Sequence, residues 1–342
     1  MDDVSAQIMK PPVDLPGFRR TGWFDVPADH RVVAHICDHV WDGTAPPGRW
    51  EAARLSKAVY LYRETATRWT VVAKHYGEKT DSAASAARYA ANEVGAIRRA
   101  QAFGLGDGPL RALRALDCVG DTLFLEHVDG LTLEDAIAVR RNRPGSLPLV
   151  LEMTARLLST LHDRGRQPDR RPALRHGVSN ANKMIRDLAA GGVLQEAPRV
   201  VDALERLVGR WAQDPAMSRY LPTYVHGDAT TANFVSPPEG GLVAIDWERM
   251  WVTDPAAELG RLAAEVAHAV ARYGGDGAEA EEVGEFLEQA YLGCLPADWD
   301  AEELANRARF YQAASTLRIA RNGWLPRLER SQLVTRAVAL LT

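Results

Sequence analysis

The spacing of apolar residues changes near residue 130, and this change most constrains how the chain can fold. Before it, short β-branched and aromatic runs predominate, and after it the apolar spacing is mostly helical. The runs AVYLYRE (58–64) and WTVVAKHY (69–76) are separated only by TATR, which predicts an antiparallel hairpin. We therefore expect an α+β fold with a strand-rich first part and a larger helical second part.

Further elements follow from the same patterns. An alanine-rich stretch from Asp81 to about residue 102 predicts a helix capped by Asp81 or Ser82, and 121–128 predicts a buried strand. Amphipathic helices are expected near 149–165, 196–213, 255–273, 278–292, 301–320 and 328–341. The predicted division is an N-terminal arm and helix over 1–48, a strand-rich domain over 49–128 and a helical domain over 129–342.

Composition excludes several classes of protein. The chain has 342 residues, 46% of them apolar and 25% charged, which is typical of a folded globular protein. A formal net charge of −4 argues against nucleic acid as the main partner. The sequence shows neither a signal peptide nor an apolar run long enough for a membrane span, so we expect a cytoplasmic protein without a membrane partner. Its oligomeric state is not indicated.

Short strand-like runs separated by polar residues lie in the centre of the helical part. TYVHGD, NFV and LVAID are strand-like, and the turn SPPEGG (236–241) predicts that the last two pair. Asn233 then lies near Asp246, with Asp228 just upstream. Two carboxylates this close repel each other unless a cation lies between them, and such oxygen ligands suit Mg²⁺. Taken singly, the same residues also fit a helix cap, a turn asparagine and a surface aspartate.

A lysine in a buried strand forms a second candidate site. Lys74 is one of only five lysines, and it lies in the apolar run TVVAK. A buried ammonium group needs an anionic partner. The following helix offers one suitable acid, Glu93, on a stripe with Tyr89 and Ile97. A strand lysine paired with a helix glutamate holds nucleotide phosphates in kinases.

The order of these motifs resembles a known superfamily. Strand lysine, helix glutamate, linker strand, HGDATTAN (226–233) and AIDWE (244–248) follow one another as in the protein-kinase signature set. Glycine in HGD, the IDW element and the later TDPAAELGRL are similar to the aminoglycoside phosphotransferase and choline kinase superfamily. The resemblance covers roughly residues 50 to 330, and it implies a two-lobed, protein-kinase-like fold.

The resemblance also implies roles for individual residues. Asp228 is expected to be the catalytic base, and Asn233 and Asp246 to hold Mg²⁺ on the phosphates of ATP or GTP. Lys74 is expected to contact the phosphates, with Glu93 fixing it. The resemblance further implies that the carbonyl of Glu126 and the amide of Val128 bind adenine at the hinge. It also implies that His226 braces the catalytic loop.

The chain departs from the protein-kinase pattern in two places. ARLSKAVYLY contains no glycine where protein kinases carry a glycine-rich phosphate loop, so Ser56 and Lys57 become candidates for phosphate contact. Glu248 replaces the glycine of the protein-kinase DFG element. A second metal ligand, a substrate contact and a structural hydrogen bond are all compatible with it. The missing activation loop argues against a protein substrate.

The function implied is Mg²⁺-dependent phosphorylation of a hydroxyl group on a small molecule. Either an antibiotic such as an aminoglycoside, which would confer resistance, or a sugar or amino-alcohol metabolite is a possible acceptor. The acidic stretch 275–289 could face a cationic substrate, although a solvated helix face is the favoured interpretation. The alternative is a catalytically silent pseudokinase that binds a nucleotide or a partner.

Overall fold

The computed structural model describes residues 22–41, 48–191, 193–195 and 197–342. The strands are β1 (Phe24–Val26), β2 (Trp50–Ser56), β3 (Val59–Glu64), β4 (Thr70–His75), β5 (Leu110–Ala112), β6 (Ala115–Val119), β7 (Thr122–Glu126), β8 (Leu131–Thr132), β9 (Thr223–Val225), β10 (Phe234–Ser236), β11 (Leu242–Ala244) and β12 (Trp251–Thr253). The helices are α1 (Arg31–His35), α2 (Ala83–Ala100), α3 (Leu133–Val139), α4 (Ser146–Arg164), α5 (Arg175–Gly191), α6 (Pro198–Gln213), α7 (Pro255–Arg272), α8 (Gly277–Leu292), α9 (Ala301–Ala320) and α10 (Arg327–Leu341).

The chain divides into two compact units. Unit 1 comprises the described residues up to Leu131 together with Val235–Glu248, and unit 2 comprises those in Thr132–Phe234 and Arg249–Thr342. Strands dominate unit 1 and helices dominate unit 2, so the predicted α+β fold class is confirmed. The return of Val235–Glu248 to unit 1 was not predicted.

The main sheet of unit 1 has the order β1-β2-β3-β4-β7-β6, and its neighbouring strands are antiparallel. The predicted hairpin is confirmed as β3 and β4, with Val59 opposite Lys74. On its other side β4 pairs with β7, which places Leu123 opposite Lys74. Lys74 therefore belongs to a central strand, whereas most strand lysines lie at an edge or extend to water.

Apolar side chains close one face of this sheet. Val33 and Ile36, from α1 and the helical turn after it, pack with Trp50, Val71 and Phe124, and each of the five is at most 2% exposed. Burying side chains of this size contributes about 1.5–3 kcal/mol each. The helix predicted from residue 81 is α2, and the Ser82 hydroxyl caps it by accepting a hydrogen bond from the Ser85 amide at 3.3 Å.

A second, smaller sheet contains β11, which ends two residues before Asp246. Its order is β5-β11-β10-β8, so β10 and β11 are neighbours, as their sequence predicted. The parallel pairing of β11 with β5 places Leu242 opposite Leu110 and was not predicted. Gly240 and Gly241 take positive φ angles of 97° and 87° in the connecting turn.

Unit 2 is built around closely packed helices. The backbone of α7 passes α9 at Gly260, where a Cβ atom would lie 2.3 Å from the carbonyl oxygen of Ala308. Asp254 caps α7 through the Ala256 amide at 3.0 Å, and its carboxylate pairs with Arg307 at 2.9 Å. This ion pair is almost fully buried, with side chains 0% and 4% exposed.

The predicted helices of unit 2 are confirmed within a few residues at each end, but other elements were missed. α3, α5 and β12 fall in stretches that the sequence left unassigned. The extended arm predicted over 1–24 and the helix break predicted over 42–48 lie mostly outside the described residues. None of the helices in the described ranges is both long and apolar enough to cross a membrane.

The crossing of α7 and α9 predicts opposite effects for two glycine-to-alanine substitutions. Gly260→Ala should lower the free energy of unfolding by about 1–3 kcal/mol because the added methyl group overpacks the interface. Gly209→Ala in α6 should raise it by about 0.5–1 kcal/mol, because nothing lies within 4 Å of the new Cβ and alanine favours the helix. Urea denaturation measures both, and equal effects would contradict this packing.

Candidate active site

Lys74 joins separate segments of unit 1 through its ammonium group. Its Nζ atom lies 2.7 Å from Glu93 Oε1 on α2 and 2.7 Å from Asp246 Oδ1, beyond the end of β11. The side chains of Lys74 and Glu93 are 9% and 0% exposed. Burial opposes the charge on Lys74, but the two carboxylates outweigh it and raise the pKa of the ammonium group. Lys74 therefore remains a fixed positive charge at neutral pH.

Tyr76 holds the other oxygen of Glu93. Its hydroxyl donates a hydrogen bond to Glu93 Oε2 and lies 3.3 Å from Glu248 Oε2. Burial and the neighbouring Glu93 raise the pKa of Tyr76, which keeps the hydroxyl protonated as a donor. Lys79 donates to Glu248 at 2.7 Å. A structural hydrogen bond was one of the three roles considered for Glu248, and these contacts agree with it.

Three carboxylates gather beside these lysines. Ligand oxygens of Glu93, Asp246 and Glu248 all lie within 4.8 Å of one another. Lys74 and Tyr76 bind both oxygens of Glu93, and its side chain is 0% exposed. The side chains of Asp246 and Glu248 are 34% and 24% exposed, so these two are the better placed donors for a hard cation. Asp246 has a positive φ of 64°, a conformation that aspartate adopts more readily than most residues.

The predicted nucleotide hinge lies at the end of β7. Arg111 and the amide of Arg114 both donate to the carboxylate of Glu126, the latter at 2.6 Å. Val128 follows two residues later. These bonds fix the strand from which the Glu126 carbonyl and Val128 amide would reach adenine, and that contact stays a prediction.

The glycine-free segment ARLSKAVYLY (53–62) contains the end of β2, a tight turn and the start of β3. Ser56 ends β2 in an exposed position, its carbonyl accepts a hydrogen bond from Arg54 Nε at 3.2 Å, and Ala58 has a φ of 66°. Contact of Ser56 with phosphate stays a prediction.

In unit 2, the HGD motif forms a loop whose shape requires glycine. Gly227 has a φ of 82°, and a Cβ atom there would lie 1.9 Å from the carbonyl oxygen of Arg249. Glu258 Oε2 accepts the amide of His226 at 2.9 Å, and its Oε1 accepts the amide of Gly227 at 2.7 Å. One buried carboxylate therefore holds two consecutive amides of the loop.

Glu258 is itself fixed by a buried chain of hydrogen bonds. His162 Nε2 lies 2.8 Å from Glu258, and His162 Nδ1 lies 2.7 Å from the hydroxyl of Tyr291. Burial alone would raise the pKa of Glu258, but its hydrogen bond with His162 and the nearby His226 outweigh burial and lower it. The loop is therefore anchored on a charged carboxylate.

Two arginines lie against Asp228. Arg261 donates a hydrogen bond to Asp228 Oδ1, and an Arg249 guanidinium nitrogen lies 3.8 Å from the same oxygen. His226 Nδ1 accepts the Asp228 amide at 3.3 Å, consistent with a bracing role. Asn233 Nδ2 donates to the Asp228 carbonyl at 2.8 Å, so its carboxamide oxygen is the end that suits a cation. Asn233 and Asp246 belong to different units, and their convergence stays a prediction.

A cavity of about 270 Å³ lies beside this loop within unit 2. Gly227, Glu258 and Arg261 contribute to its wall, together with the side chains of Trp251 and Tyr311. A hydroxyl-bearing molecule in this cavity would lie next to the loop that carries Asp228.

Comparison with known families decides the general class. The model of the phosphotransferase enzyme family matches residues 52–319, which is well over half of the chain. The chain belongs to this family. It is an enzyme that transfers phosphate to an alcohol group, and the family resemblance suggested by HGD and IDW is confirmed.

Solved structures support the fold of this phosphotransferase. ADP-bound aminoglycoside phosphotransferase APH(2'')-Ib is 12% identical, with a TM-score of 0.56 over 92% of this chain and 99% of that one. The streptomycin–ATP complex of APH(2'')-IIa is 12% identical, with a TM-score of 0.54 over 92% and 96%. An aminoglycoside phosphotransferase from Alicyclobacillus acidocaldarius is 15% identical, with a TM-score of 0.50 over 84% and 87%. No curated protein matches significantly.

The sequence did not reveal two residues that form hydrogen bonds with the predicted site residues. Tyr76 on Glu93 and Arg261 on Asp228 were not identified, because the sequence does not show which side chains around a site meet. A signal for Arg261 was present: it follows Glu258 by three residues on α7, which places both on one helix face.

The geometry of the loop predicts that Gly227→Ala abolishes phosphoryl transfer. The methyl group would displace the Arg249 carbonyl and the Asp228 loop, in addition to the strain of a positive φ. Gly240→Ala is the matched control, because its φ is 97° but nothing lies within 4 Å of a new Cβ. The control should lose only about 1–2 kcal/mol of stability and keep its activity. Turnover by both variants alike would contradict the steric argument.

Proposed function

We propose that this enzyme transfers the γ-phosphoryl group of ATP, or of GTP, to a hydroxyl group of a small molecule. The observation that carries the proposal is the Lys74 ammonium group held between Glu93 and Asp246 at 2.7 Å from each. Its charge is buried, fixed and paired, which is the arrangement that orients nucleotide phosphates. A cytoplasmic location is part of this proposal, because the reaction consumes ATP or GTP.

At the nucleotide end, Lys74 contacts the phosphates, and Glu126 and Val128 bind the adenine. Ser56 and Lys57 replace the missing glycine-rich loop. Support comes from relatives of the same fold, whose structures are described as bound to ADP and to ATP.

Mg²⁺ suits the donor set of this enzyme. Asp246 and Glu248 are hard oxygen donors that would hold it, and the carboxamide oxygen of Asn233 is the further ligand that the family resemblance implies. Bound there, Mg²⁺ supplies neutralisation of the negative charge on the nucleotide phosphates.

At the acceptor end, Asp228 orients the substrate hydroxyl and takes its proton. The hydroxyl oxygen forms a bond to the γ-phosphorus while the bond to the β-phosphate bridging oxygen breaks, releasing the nucleoside diphosphate. Glu258 positions the loop through the amides of His226 and Gly227. Most of the acceleration comes from positioning and charge neutralisation.

The family match supports turnover over the alternative of a silent binding module, because the chain keeps Lys74, Glu93, Asp228, Asn233 and Asp246. Among acceptors, relatives are described as complexes with streptomycin and with gentamicin, so an antibiotic is one candidate. A sugar or amino-alcohol metabolite is the second candidate, and the charge of the acceptor cavity bears on this choice.

Substitution of Asp228 tests the catalytic assignment. Asp228→Asn should reduce phosphoryl transfer by about 100-fold or more, because a carboxamide cannot accept the hydroxyl proton. ATP binding, measured by calorimetry, should remain within about twofold, since Asp228 serves the acceptor.

Asp202→Asn is the matched control, because Asp202 is an exposed aspartate on α6. It should leave both transfer and nucleotide binding unchanged. Full activity in Asp228→Asn would refute the assignment of the base. Nucleotide binding by the wild type without transfer to any hydroxyl compound would instead favour the silent module.

A further inference from the structure

The cavity beside the Asp228 loop has a wall rich in arginine. Arg261, Arg318 and Arg321 all line it, and His176 adds a further nitrogen-bearing ring. Their known carboxylate partners, Asp228, Glu265 and Asp187, are not among the residues that line the cavity. Three arginines therefore contribute to the wall, while the carboxylates that pair with them are not among its lining residues.

Glu258 is the one carboxylate in that wall, and it is already engaged. It is 3% exposed, and it binds His162 and two amides of the HGD loop. A cationic substrate could reach it only by breaking those bonds, which anchor the catalytic loop. Glu258 therefore does not provide a binding site for an ammonium group.

Two of the arginines also have unused donors. Among the described residues, the Nε atoms of Arg261 and Arg318 are buried and have no hydrogen-bond partner. Buried N–H donors without a partner are costly, and carboxylate and phosphate oxygens match the geometry of a guanidinium group. Burial lowers the pKa of Arg261 in spite of the neighbouring Asp228, so more negative charge would be favourable there.

We infer that the acceptor of this enzyme is a small hydroxyl compound with an anionic group, a carboxylate or a phosphate, that binds Arg261 and Arg318. The inference rests on the proposed function, since it takes this cavity as the acceptor site. Trp251, which is 44% exposed, and Tyr311 supply apolar surface for the body of the molecule. A volume of about 270 Å³ suits a single ring or a short chain.

The anionic group has a further effect on Asp228. In the structure Arg261 donates to Asp228 Oδ1, so a substrate hydroxyl has to share this oxygen with the guanidinium group. An anionic acceptor competes for the Arg261 guanidinium and frees the Asp228 oxygen for the substrate hydroxyl. Binding of the correct substrate thus makes this oxygen available.

The acidic stretch 275–289 offers little to a cationic acceptor. It forms most of α8, and Glu279 within it is paired with Arg140 at 2.6 Å and Arg141 at 3.2 Å. Glu279 is absent from the wall of the acceptor cavity. The described part of unit 2 therefore favours an anionic over a polycationic acceptor.

Matched acceptors test the inference by turnover. Transfer from Mg-ATP is measured to galacturonate and galactose, to glucose 6-phosphate and glucose, and to streptomycin. One anionic compound should exceed its neutral counterpart by more than about tenfold in kcat/KM, the value of one charge-assisted hydrogen bond. The better anion identifies the group as carboxylate or phosphate. Streptomycin or a neutral sugar as the preferred acceptor would overturn the inference.

Binding provides a second measurement that does not depend on turnover. With saturating Mg-ADP, galacturonate or inorganic phosphate should raise the Tm above that in sodium chloride of equal ionic strength. Arg318→Gln should remove this rise, whereas Arg272→Gln, an ion-paired arginine on α7 outside the cavity wall, should keep it. No rise for either anion, or an equal rise in Arg318→Gln, would overturn the inference.

The two measurements separate this inference from the proposed function. An Arg318-dependent rise in Tm without transfer to any acceptor would retain the anion site and refute the kinase assignment. Transfer to streptomycin without an anion effect would retain the kinase and refute the anion site.

Discussion

The arrangement of unit 1 depends on a single ammonium group. Lys74 lies in a central strand, so its charge cannot reach water along a sheet edge and must be balanced by neighbouring anions. Glu93 and Asp246 supply them from a helix and from a loop that returns late in the chain. Removing one member of such a buried pair typically costs about 3–5 kcal/mol. The interaction that binds these segments together is also the one that, in the proposed function, presents a fixed charge to nucleotide phosphates.

Unit 2 holds the HGD loop, which carries Asp228, in one position. The ionised carboxylate of Glu258 binds consecutive amides of the HGD motif, and the absence of a side chain at Gly227 lets the Arg249 carbonyl approach. Asp228 then meets Arg261 at the wall of a cavity rich in arginine. The same contact that orients Asp228 occupies one of its oxygens. In the proposed function, binding of the acceptor releases that oxygen for the substrate hydroxyl.

Local patterns were enough to predict part of this site. The apolar alternation of β4 marked Lys74 as buried, and the helical stripe of α2 identified Glu93 as its partner. Spacing between motifs cannot reveal contacts between distant segments, and Lys74 with Asp246 was therefore not predicted as a pair. Strand β5 was missed for the same reason, since it is stabilised by pairing with β11, far along the chain.

We propose that Asp246, which pairs with Lys74, binds a metal–nucleotide complex. The Mg²⁺ dependence of nucleotide affinity tests this role most directly. Calorimetry measures the Kd of ATP with and without Mg²⁺ in the wild type and in Asp246→Asn. We predict that Mg²⁺ tightens ATP binding by about tenfold or more in the wild type, and that Asp246→Asn abolishes this difference. Equal affinity with and without Mg²⁺ in the wild type, or an unchanged Mg²⁺ effect in Asp246→Asn, would contradict the claim.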